Sequence, residues 1–216
     1  MNHYYLNVRS EVAEFLPSDT SKMCILEIGC GAGNFKSNIV GCQEYWGVEP
    51  FEAVAKLASE KLDRVLVGTF KEVYEALPNY YFDCVICADV IEHMEDEEWF
   101  FKNIKLKMKN ESIIVGSIPN VRHVGVLLKL LIWKDWQYSD IGILDKTHLR
   151  FFTEKSLKRA FVSNEYTIED FHGINQVKLK FDNLKAFCKS FGMIFFSYLF
   201  GRDSGFIQFG FRIKPK

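Results

Sequence analysis

The sequence predicts an α/β fold with a doubly wound, mostly parallel sheet covered by helices on both faces. Short apolar segments alternate with amphipathic segments between Met23 and Ile118. The apolar segments lack the alternation of polar and apolar residues that marks a half-exposed strand. Strands that are apolar on both faces are typical of a parallel sheet buried between helices, and their crossovers are right-handed.

The strands and helices follow from these segments in order. Strands are predicted over residues 23–28, 45–49, 64–68, 82–88, 112–118, 166–171 and 206–213. Helices are predicted over residues 35–40, 51–62, 70–77, 99–109 and 181–199, with a further helix that begins after Thr153. Thr153 is a favourable N-cap residue, and Glu154 suits the first turn of a helix.

The length of 216 residues suits a single domain over residues 1–216, with an N-terminal cap helix over 1–20 and an insertion over 120–152. The insertion interrupts the strand–helix alternation, and we expect it to cover the carboxyl edge of the sheet. Its apolar segment 124–136 is open to three interpretations: a core helix, a lid or a membrane-lying segment. The last is the weakest, because this segment has only two lysines.

Composition and charge argue against some classes of partner and predict a cellular location. The chain has 27 Lys and Arg against 28 Asp and Glu, so its net charge of −1 argues against a nucleic-acid partner. The six cysteines are scattered, and the sequence has no signal-peptide pattern or membrane span, which predicts a cytoplasmic protein with reduced thiols. Cys84 and Cys87 lie in a predicted strand, where a spacing of three points their thiols to opposite faces.

A glycine loop follows the first predicted strand. Gly29, Gly31 and Gly33 allow a tight turn and close approach of a ligand. The dinucleotide-binding pattern needs a glycine at position 34, where this chain has Asn34. Glu27 ends the strand, and its carboxylate would repel a pyrophosphate but attract an ammonium group. The ligand is therefore expected to have a cationic end.

Glu49 ends the second predicted strand, 20 residues after Gly29. An acid at this place accepts hydrogen bonds from both hydroxyls of a ribose. A ribose and a cationic amine together describe S-adenosylmethionine (SAM). The two acids and the glycine loop therefore predict a SAM site at the carboxyl edge of the sheet.

Three segments resemble motifs of the class I SAM-dependent methyltransferases: LEIGCGAGNF, WGVEP and FDCVICADVIEHM. The resemblance implies a Rossmann-like sheet of seven strands whose last strand is antiparallel. It also implies SAM across the carboxyl ends of strands 1 to 4, with Gly29 and Gly31 against its amino-acid end. The cofactor-binding set is Tyr5, Arg9, Glu27, Gly29, Cys30, Gly31, Gly33, Glu49, Pro50, Thr69, Phe70 and Asp89.

Two parts of this set carry specific expectations. The family often places an acid after strand 3 to bind the adenine amino group, whereas this chain has Thr69 and Phe70 there. Thr69 would accept that hydrogen bond and Phe70 would pack on the ring. Tyr5 and Arg9 lie on the N-terminal segment, which either packs as a surface helix or caps the cofactor, with Arg9 paired to the methionine carboxylate.

Asp89, Glu92 and His93 follow the fourth strand, and His148 lies on the insertion. The 3′-terminal 2′-O-methyltransferases of small RNAs and the ubiquinone-pathway O-methyltransferases hold a divalent metal with an acid-x-x-Glu-His motif and a later His. Their first acid is Glu, whereas Asp is common at this place in relatives that bind no metal. We therefore assign no metal ligand and leave metal binding open.

The predicted activity is SAM-dependent methyl transfer to a small-molecule acceptor, at an oxygen atom. His148 is the first candidate for the general base and His93 the second, since a neutral imidazole accepts a proton at pH 7. His148 could instead simply anchor the insertion. The alternatives are a metal-dependent RNA 2′-O-methyltransferase and a SAM-binding partner or sensor without catalysis, and the sequence does not predict the oligomeric state.

Overall fold

The computed structural model describes residues 8–216, so Tyr5 lies outside the described residues. These residues form one sheet of seven strands in the order β3-β2-β1-β4-β5-β7-β6. The sheet is parallel except for β7, which runs antiparallel to β5 and β6 and confirms the predicted fold class. The strands are β1 (Cys24–Ile28), β2 (Glu44–Glu49), β3 (Arg64–Val67), β4 (Phe82–Ala88), β5 (Met108–Pro119), β6 (Tyr166–Gln176) and β7 (Phe206–Pro215).

The helices alternate with the strands much as the sequence predicts. They are α1 (Ser10–Ala13), α2 (Glu52–Ala58), α3 (Phe70–Val73), α4 (Glu97–Ile104), α5 (Val124–Leu131), α6 (Glu154–Ser163) and α7 (Leu184–Phe200). Short 3₁₀ turns extend α3 over Tyr74–Ala76 and α4 over Lys105–Lys107. Several helices are therefore shorter than the amphipathic segments that predict them.

The helix predicted over residues 35–40 is instead a 3₁₀ helix over Asn34–Asn38. Local side-chain hydrogen bonds explain the difference. The Ser37 hydroxyl donates to the Asn34 carbonyl at 2.8 Å, and the Asn38 amide donates to the Phe35 carbonyl at 3.1 Å. Such bonds occupy carbonyls that an α-helix would use and favour a short turn.

The N-terminal segment was expected to be helical over residues 1–20. Among the described residues of this segment, the helix covers only Ser10–Ala13, and turns follow it up to Leu16. Pro17 disfavours a helical conformation of the residue before it. Phe15 is fully buried on the sheet, where a Cβ on Gly210 would lie 2.1 Å from its ring. The segment therefore packs on β7 through a position that only glycine can provide.

The core has two layers, one on each face of the sheet. Cys87 belongs to the layer that contains Phe82 and Phe101, and Cys84 to the layer that contains Phe15 and Tyr45. Both thiols are fully buried. This placement confirms that the two cysteines point to opposite faces and cannot share a metal.

The insertion leaves the sheet and returns at one point, because Asn120 and Phe152 form a parallel β-bridge. The Asn120 amide also donates to the carbonyls of Asp203 and Phe206, at 2.8 and 3.0 Å. Helix α5 buries Val124, Val126 and Leu128, whereas the chain from Leu130 to Trp133 is exposed. The first half of the segment is therefore a packed helix, as one of the three interpretations expects.

Across residues 8–216, none of the helices combines the length and the hydropathy that a membrane span requires.

Thr153 caps α6 as predicted. Its hydroxyl accepts from the Ser156 amide at 3.2 Å, and the Ser156 hydroxyl accepts from the Thr153 amide at 2.9 Å. Replacing Thr153 by Ala should lower the free energy of unfolding by about 1 kcal/mol, measured by urea denaturation. Thr153→Ser keeps the oxygen and should stay near wild type. Equal stability of the Ala and Ser variants would contradict a capping role.

Candidate functional site

The carboxyl ends of β1, β2 and β4 meet at the glycine loop. Gly29, Gly31 and Gly33 all have positive φ angles, at 67°, 53° and 72°. A Cβ on Gly29 would lie 2.7 Å from a methyl carbon of Val90, so both conformation and space require glycine there. The Gly29 amide donates to the Val48 carbonyl at 2.8 Å, which fixes the loop to the end of β2.

Glu49 links the loop to the second strand. Its Oε2 accepts from the Gly31 amide at 2.9 Å, and its Oε1 accepts from the Phe51 amide at 3.1 Å. The residue is 3% exposed, and burial raises the pKa of its carboxyl, against the effect of these two hydrogen bonds. Each oxygen keeps a second lone pair, so the carboxylate has the acceptors that a ribose diol needs. Pro50, the next residue, is exposed.

Glu27 is buried at the end of β1 with an exposure of 5%. The Tyr45 hydroxyl donates to its Oε2 at 2.8 Å. Burial, with a further contribution from the charge of Glu49, raises the pKa of Glu27 to about 8. A carboxyl in this environment is stabilised as an anion by a nearby cation, which fits the ammonium group expected at this place.

Asp89 follows β4 with a positive φ of 54° and is 8% exposed. Its Oδ1 accepts from the Ser117 hydroxyl at 2.7 Å, and its Oδ2 accepts from the Gln208 amide and pairs with the Arg9 guanidinium. Two predicted cofactor residues therefore contact each other directly. Sequence reasoning missed Ser117 and Gln208, although Gln208 is a polar residue in the mainly apolar first half of β7.

Three predicted cofactor residues, Cys30, Phe70 and Thr69, have side chains that contact other parts of the protein. The Cys30 thiol lies against β2, where a Cβ on Gly47 would come within 2.5 Å of it. Phe70 is 6% exposed, and its ring packs against Tyr74, Trp99 and Phe100.

Aromatic neighbours surround the Phe70 ring, so it packs into the core, and its contact with adenine stays a prediction. Thr69 caps α3, with its hydroxyl donating to Glu72 at 2.8 Å and accepting from the Glu72 amide at 3.4 Å. Its binding of an adenine amino group stays a prediction.

Glu92, His93 and His148 form a compact cluster beside Asp89. One ligand atom from each of the three lies within 4.8 Å of the others, and His148 Nε2 is 3.9 Å from Glu92 Oε1. His93 Nδ1 donates to the Thr147 carbonyl at 3.1 Å, and His148 Nδ1 donates to the Ile143 carbonyl at 3.0 Å. Both rings therefore use Nδ1 to contact the backbone, which leaves Nε2 as the nitrogen that could bind a cation.

The cluster fits a divalent cation. Glu92 is 1% exposed, and neither of its carboxylate oxygens has a hydrogen-bond partner in the described part of the chain. Burial, followed by the charge of Asp89, raises the pKa of Glu92, so this carboxyl needs a cation to ionise. Two imidazoles and one carboxylate leave further coordination positions open for a substrate. Asp89 lies outside the set, since its oxygens are held by other partners.

The insertion carries His148 to this place. The amides of Leu149 and Arg150 donate to the Glu92 carbonyl at 2.9 and 3.2 Å. The Arg150 guanidinium also pairs with Glu97 and donates to the Glu95 carbonyl at 2.6 Å. These contacts attach residues 148–150 to the turn that contains Glu92, so the insertion completes the cluster.

The raised pKa of Glu27 predicts a pH dependence of stability in the free protein. The folded state holds the Glu27 proton up to about pH 8, whereas the ordinary value is 4.5. The stability that this proton provides is therefore full below pH 4.5 and lost as the pH rises through 8, by up to about 1.4 kcal/mol per pH unit. Urea denaturation should show a smaller loss for Glu27→Gln, which stays neutral. Parallel pH profiles for the two proteins would disprove the raised pKa.

The comparisons with known proteins agree with this geometry. The sequence matches a family model described as a methyltransferase domain over residues 1–170. A ubiquinone biosynthesis O-methyltransferase of Rickettsia bellii is 28% identical over 137 residues, which cover 61% of this chain and 56% of that protein. A protein of the same name from Bradyrhizobium diazoefficiens is 33% identical over 164 residues, which cover 69% of this chain and 60% of that protein. The chain thus spans little more than half the length of these relatives.

Solved structures share the fold along nearly the whole chain. A SAM-dependent methyltransferase from Archaeoglobus fulgidus superposes with a TM-score of 0.61 at 20% identity, over 98% of this chain and 92% of that one. A putative methyltransferase of Haloferax volcanii, solved with the Trm112 activator, gives a TM-score of 0.68 at 11% identity, over 99% and 90% of the two chains. With the family match over residues 1–170, the chain belongs to the class I SAM-dependent methyltransferases.

Proposed function

We propose that this protein transfers the methyl group of SAM to a hydroxyl oxygen of a small molecule, with a divalent cation held by Glu92, His93 and His148. The observation that carries the proposal is the buried Glu92 carboxyl, which has no hydrogen-bond partner among the described residues and lies beside two imidazoles whose Nδ1 atoms are held by backbone carbonyls. This cluster lies next to Asp89, which the family resemblance assigns to the cofactor.

Residues at the ends of β1, β2 and β4 would hold the cofactor. Glu27 accounts for the ammonium group, the backbone around Gly31 for close approach, and Glu49 for the ribose. SAM supplies a methyl carbon that its sulfonium already makes electrophilic. The task of the chain is therefore to align the acceptor oxygen with that carbon and to keep the pair in place.

Glu92, His93 and His148 would hold the cation, which would lower the pKa of a nearby acceptor hydroxyl. That hydroxyl would release its proton to water, and the methyl carbon would pass from the sulfonium sulfur to the hydroxyl oxygen. The Thr147 and Ile143 carbonyls fix the two imidazole rings through their Nδ1 protons. A ring whose Nε2 holds a cation cannot accept a proton there. The general-base role and the metal-ligand role of His148 therefore exclude each other, and the unpartnered Glu92 favours the metal-ligand role.

The named relatives support oxygen as the target atom, since they are O-methyltransferases. The net charge of −1 favours a small acceptor over the RNA alternative, because RNA binding depends on a basic surface. A SAM-binding sensor without catalysis is the remaining alternative, and it would show no turnover with any acceptor.

His148→Ala tests the cation site. The protein is screened for SAM turnover against pooled small hydroxylated metabolites, with and without Mn²⁺, Zn²⁺ or Mg²⁺. A chelator should abolish turnover of the wild type, and the cation should restore it. The variant should lose about 10²–10⁴-fold of the rate, the range for a lost catalytic group, and should lose cation binding in calorimetry. His172→Ala is the matched control, since that histidine is half exposed, pairs with Asp170, stacks on Phe15 and belongs to neither the cofactor set nor the Glu92 cluster.

Three results would contradict the proposal. Turnover that resists chelation but falls in His148→Ala would make His148 a general base. Full activity in a stable His148→Ala variant would remove both roles. A variant that loses stability but keeps its rate per folded molecule would show that His148 only anchors the insertion.

Glu49→Ala tests the cofactor site separately. A hydrogen bond to a charged group contributes about 1.5–3 kcal/mol, so SAM affinity should fall roughly ten- to a hundredfold in calorimetry. Glu52→Ala, an exposed acid at the start of α2, should bind SAM like the wild type. Unchanged affinity in a folded Glu49→Ala variant would remove Glu49 from the ribose site.

A further inference from the structure

Helix α7 lies in the connection between β6 and β7, over residues 177–205. These strands pair antiparallel, and a turn of about two residues is enough to join such a pair, so the sheet does not need α7 to close. The start of β7 lies beside the carboxyl end of β5, because Gln208 pairs with Pro119. The connection is therefore at the same edge of the sheet as the glycine loop and the Glu92 cluster.

Helix α7 has the reverse of the usual polarity of a surface helix. Its two buried residues are Ser190 and Ser197. Their hydroxyls donate to carbonyls of the helix itself, those of Phe187 and Ile194, at 3.0 and 2.7 Å. Five large apolar side chains of the same helix are instead 57–77% exposed: Leu184, Phe191, Phe195, Tyr198 and Leu199. We call these five side chains the α7 face.

The α7 face is one stripe along the helix. Phe191 follows Leu184 by seven residues, Phe195 follows by four more, and Tyr198 by a further three. Residues at these spacings lie on one side of an α-helix, the side that an amphipathic helix normally turns towards the core. Soluble monomers rarely leave a large apolar patch open to water, so the stripe indicates an interaction surface.

The charges around the α7 face are almost all positive. Helix α7 contains Lys185 and Lys189 and no acid. Residues 177–202 include five basic residues and one acid, whereas the whole chain has 27 basic residues and 28 acids. The next acid, Asp203, pairs with Arg122 at 2.7 Å. The five basic residues are exposed, and within residues 8–216 none of them forms an ion pair: Lys178, Lys180, Lys185, Lys189 and Arg202.

Helix α5 packs beside α7 and exposes further apolar side chains. A Cβ on Gly125 would lie 3.9 Å from Cε of Met193, and the Arg122 guanidinium donates to the Phe200 carbonyl at 2.6 Å. The apolar segment 124–136 has only two lysines of its own. The neighbouring helix α7 therefore supplies cations that this segment lacks. The exposed residues at the end of α5 include Leu131, Ile132 and Trp133.

We propose that the α7 face docks on the surface of an anionic lipid bilayer. Its apolar side chains enter the boundary between headgroups and acyl chains, and the surrounding cations pair with lipid phosphates. Tyr198 suits this depth, since its ring is apolar and its hydroxyl is polar. A helix of 17 residues is about 25 Å long, shorter than the ~30 Å hydrocarbon core, so α7 lies along the surface and does not cross it. This docking does not depend on the proposed function.

A second copy of the chain fits the α7 face less well. In a two-fold dimer the same patch of both subunits meets itself. Lys185 and Lys189 of the two copies would then come together, and α7 contains no acid to pair with them. Like charges across an interface are unfavourable, whereas anionic headgroups neutralise them.

Co-sedimentation with vesicles tests the docking. The full chain, without SAM, cation or acceptor, is mixed with vesicles of phosphatidylcholine and phosphatidylglycerol in equal parts, or of phosphatidylcholine alone. It should bind the anionic vesicles about tenfold or more tightly than the neutral ones, and added salt should weaken the binding. Binding to neither kind of vesicle, or equal binding to both, would overturn the proposal.

A pair of lysine substitutions tests the place of the cations. Lys185→Gln combined with Lys189→Gln should weaken binding to the anionic vesicles by roughly fivefold for each lysine. Lys155→Gln combined with Arg159→Gln is the matched control, since these exposed cations have the same spacing on α6 and should not affect binding. An equal loss in both double variants would remove α7 from the docking surface.

Phe191→Ser combined with Phe195→Ser tests the apolar part. This variant should lose about tenfold or more of its affinity for the anionic vesicles, and its thermal transition should stay near wild type because both rings are exposed. Val162→Ser, at a similarly exposed position on α6, should bind like the wild type. The lysine variants decide the question if the double Phe variant does not fold. Analytical ultracentrifugation without vesicles that shows a dimer, dissociated by the Phe substitutions, would assign the α7 face to a second copy and overturn the proposal.

Discussion

The free-energy cost of burying carboxylates governs the carboxyl edge of this sheet. Glu27, Glu49, Asp89 and Glu92 lie there, and each is less than a tenth exposed. An isolated buried carboxylate is strongly unfavourable, so each of these acids must be hydrogen-bonded, paired or neutral. The four acids meet this requirement in different ways. These differences indicate which kind of ligand each carboxyl would bind.

Glu49 is satisfied by two backbone amides, and Asp89 by Ser117, Gln208 and the Arg9 guanidinium. Glu27 has the Tyr45 hydroxyl, and burial raises its pKa to about 8. The Glu92 carboxyl oxygens have no hydrogen-bond partner within the described chain. Glu27 and Glu92 have the fewest hydrogen bonds to their carboxyl oxygens. At each of them a ligand would bring positive charge, as an ammonium group at Glu27 and as a divalent cation at Glu92. Cofactor and cation would thus stabilise the folded protein as well as equip it for chemistry, since a ligand that binds only the folded state adds to its stability.

Local sequence patterns were sufficient for the features that depend on neighbours along the chain. The turn at Gly29 and the cap at Thr153 are set by a few adjacent residues, and Cys84 and Cys87 follow the period of a strand. The partners of Asp89 depend on packing between β4, β5 and β7, which a local pattern does not contain. The inward orientation of Phe70 also depends on tertiary packing, because its neighbours Trp99 and Phe100 come from a helix distant in the sequence.

Sequence reasoning found the members of the Glu92 cluster but could not show that His148 reaches the other two. That contact depends on the amides of Leu149 and Arg150, which donate to a carbonyl more than fifty residues earlier in the chain. Only the folded insertion shows that Asp89 is occupied by other partners while Glu92 is not. The structure therefore reduces the four candidate ligands to three.

The insertion is a single structural unit that contributes His148 to the Glu92 cluster. Its two ends are joined by the bridge between Asn120 and Phe152, so its position relative to the sheet is fixed at the root. The Ile143 carbonyl accepts from Nδ1 of His148 at 3.0 Å and holds the imidazole ring in place. The position of the His148 ring relative to Glu92 and His93 is therefore set by short, hydrogen-bonded stretches of backbone.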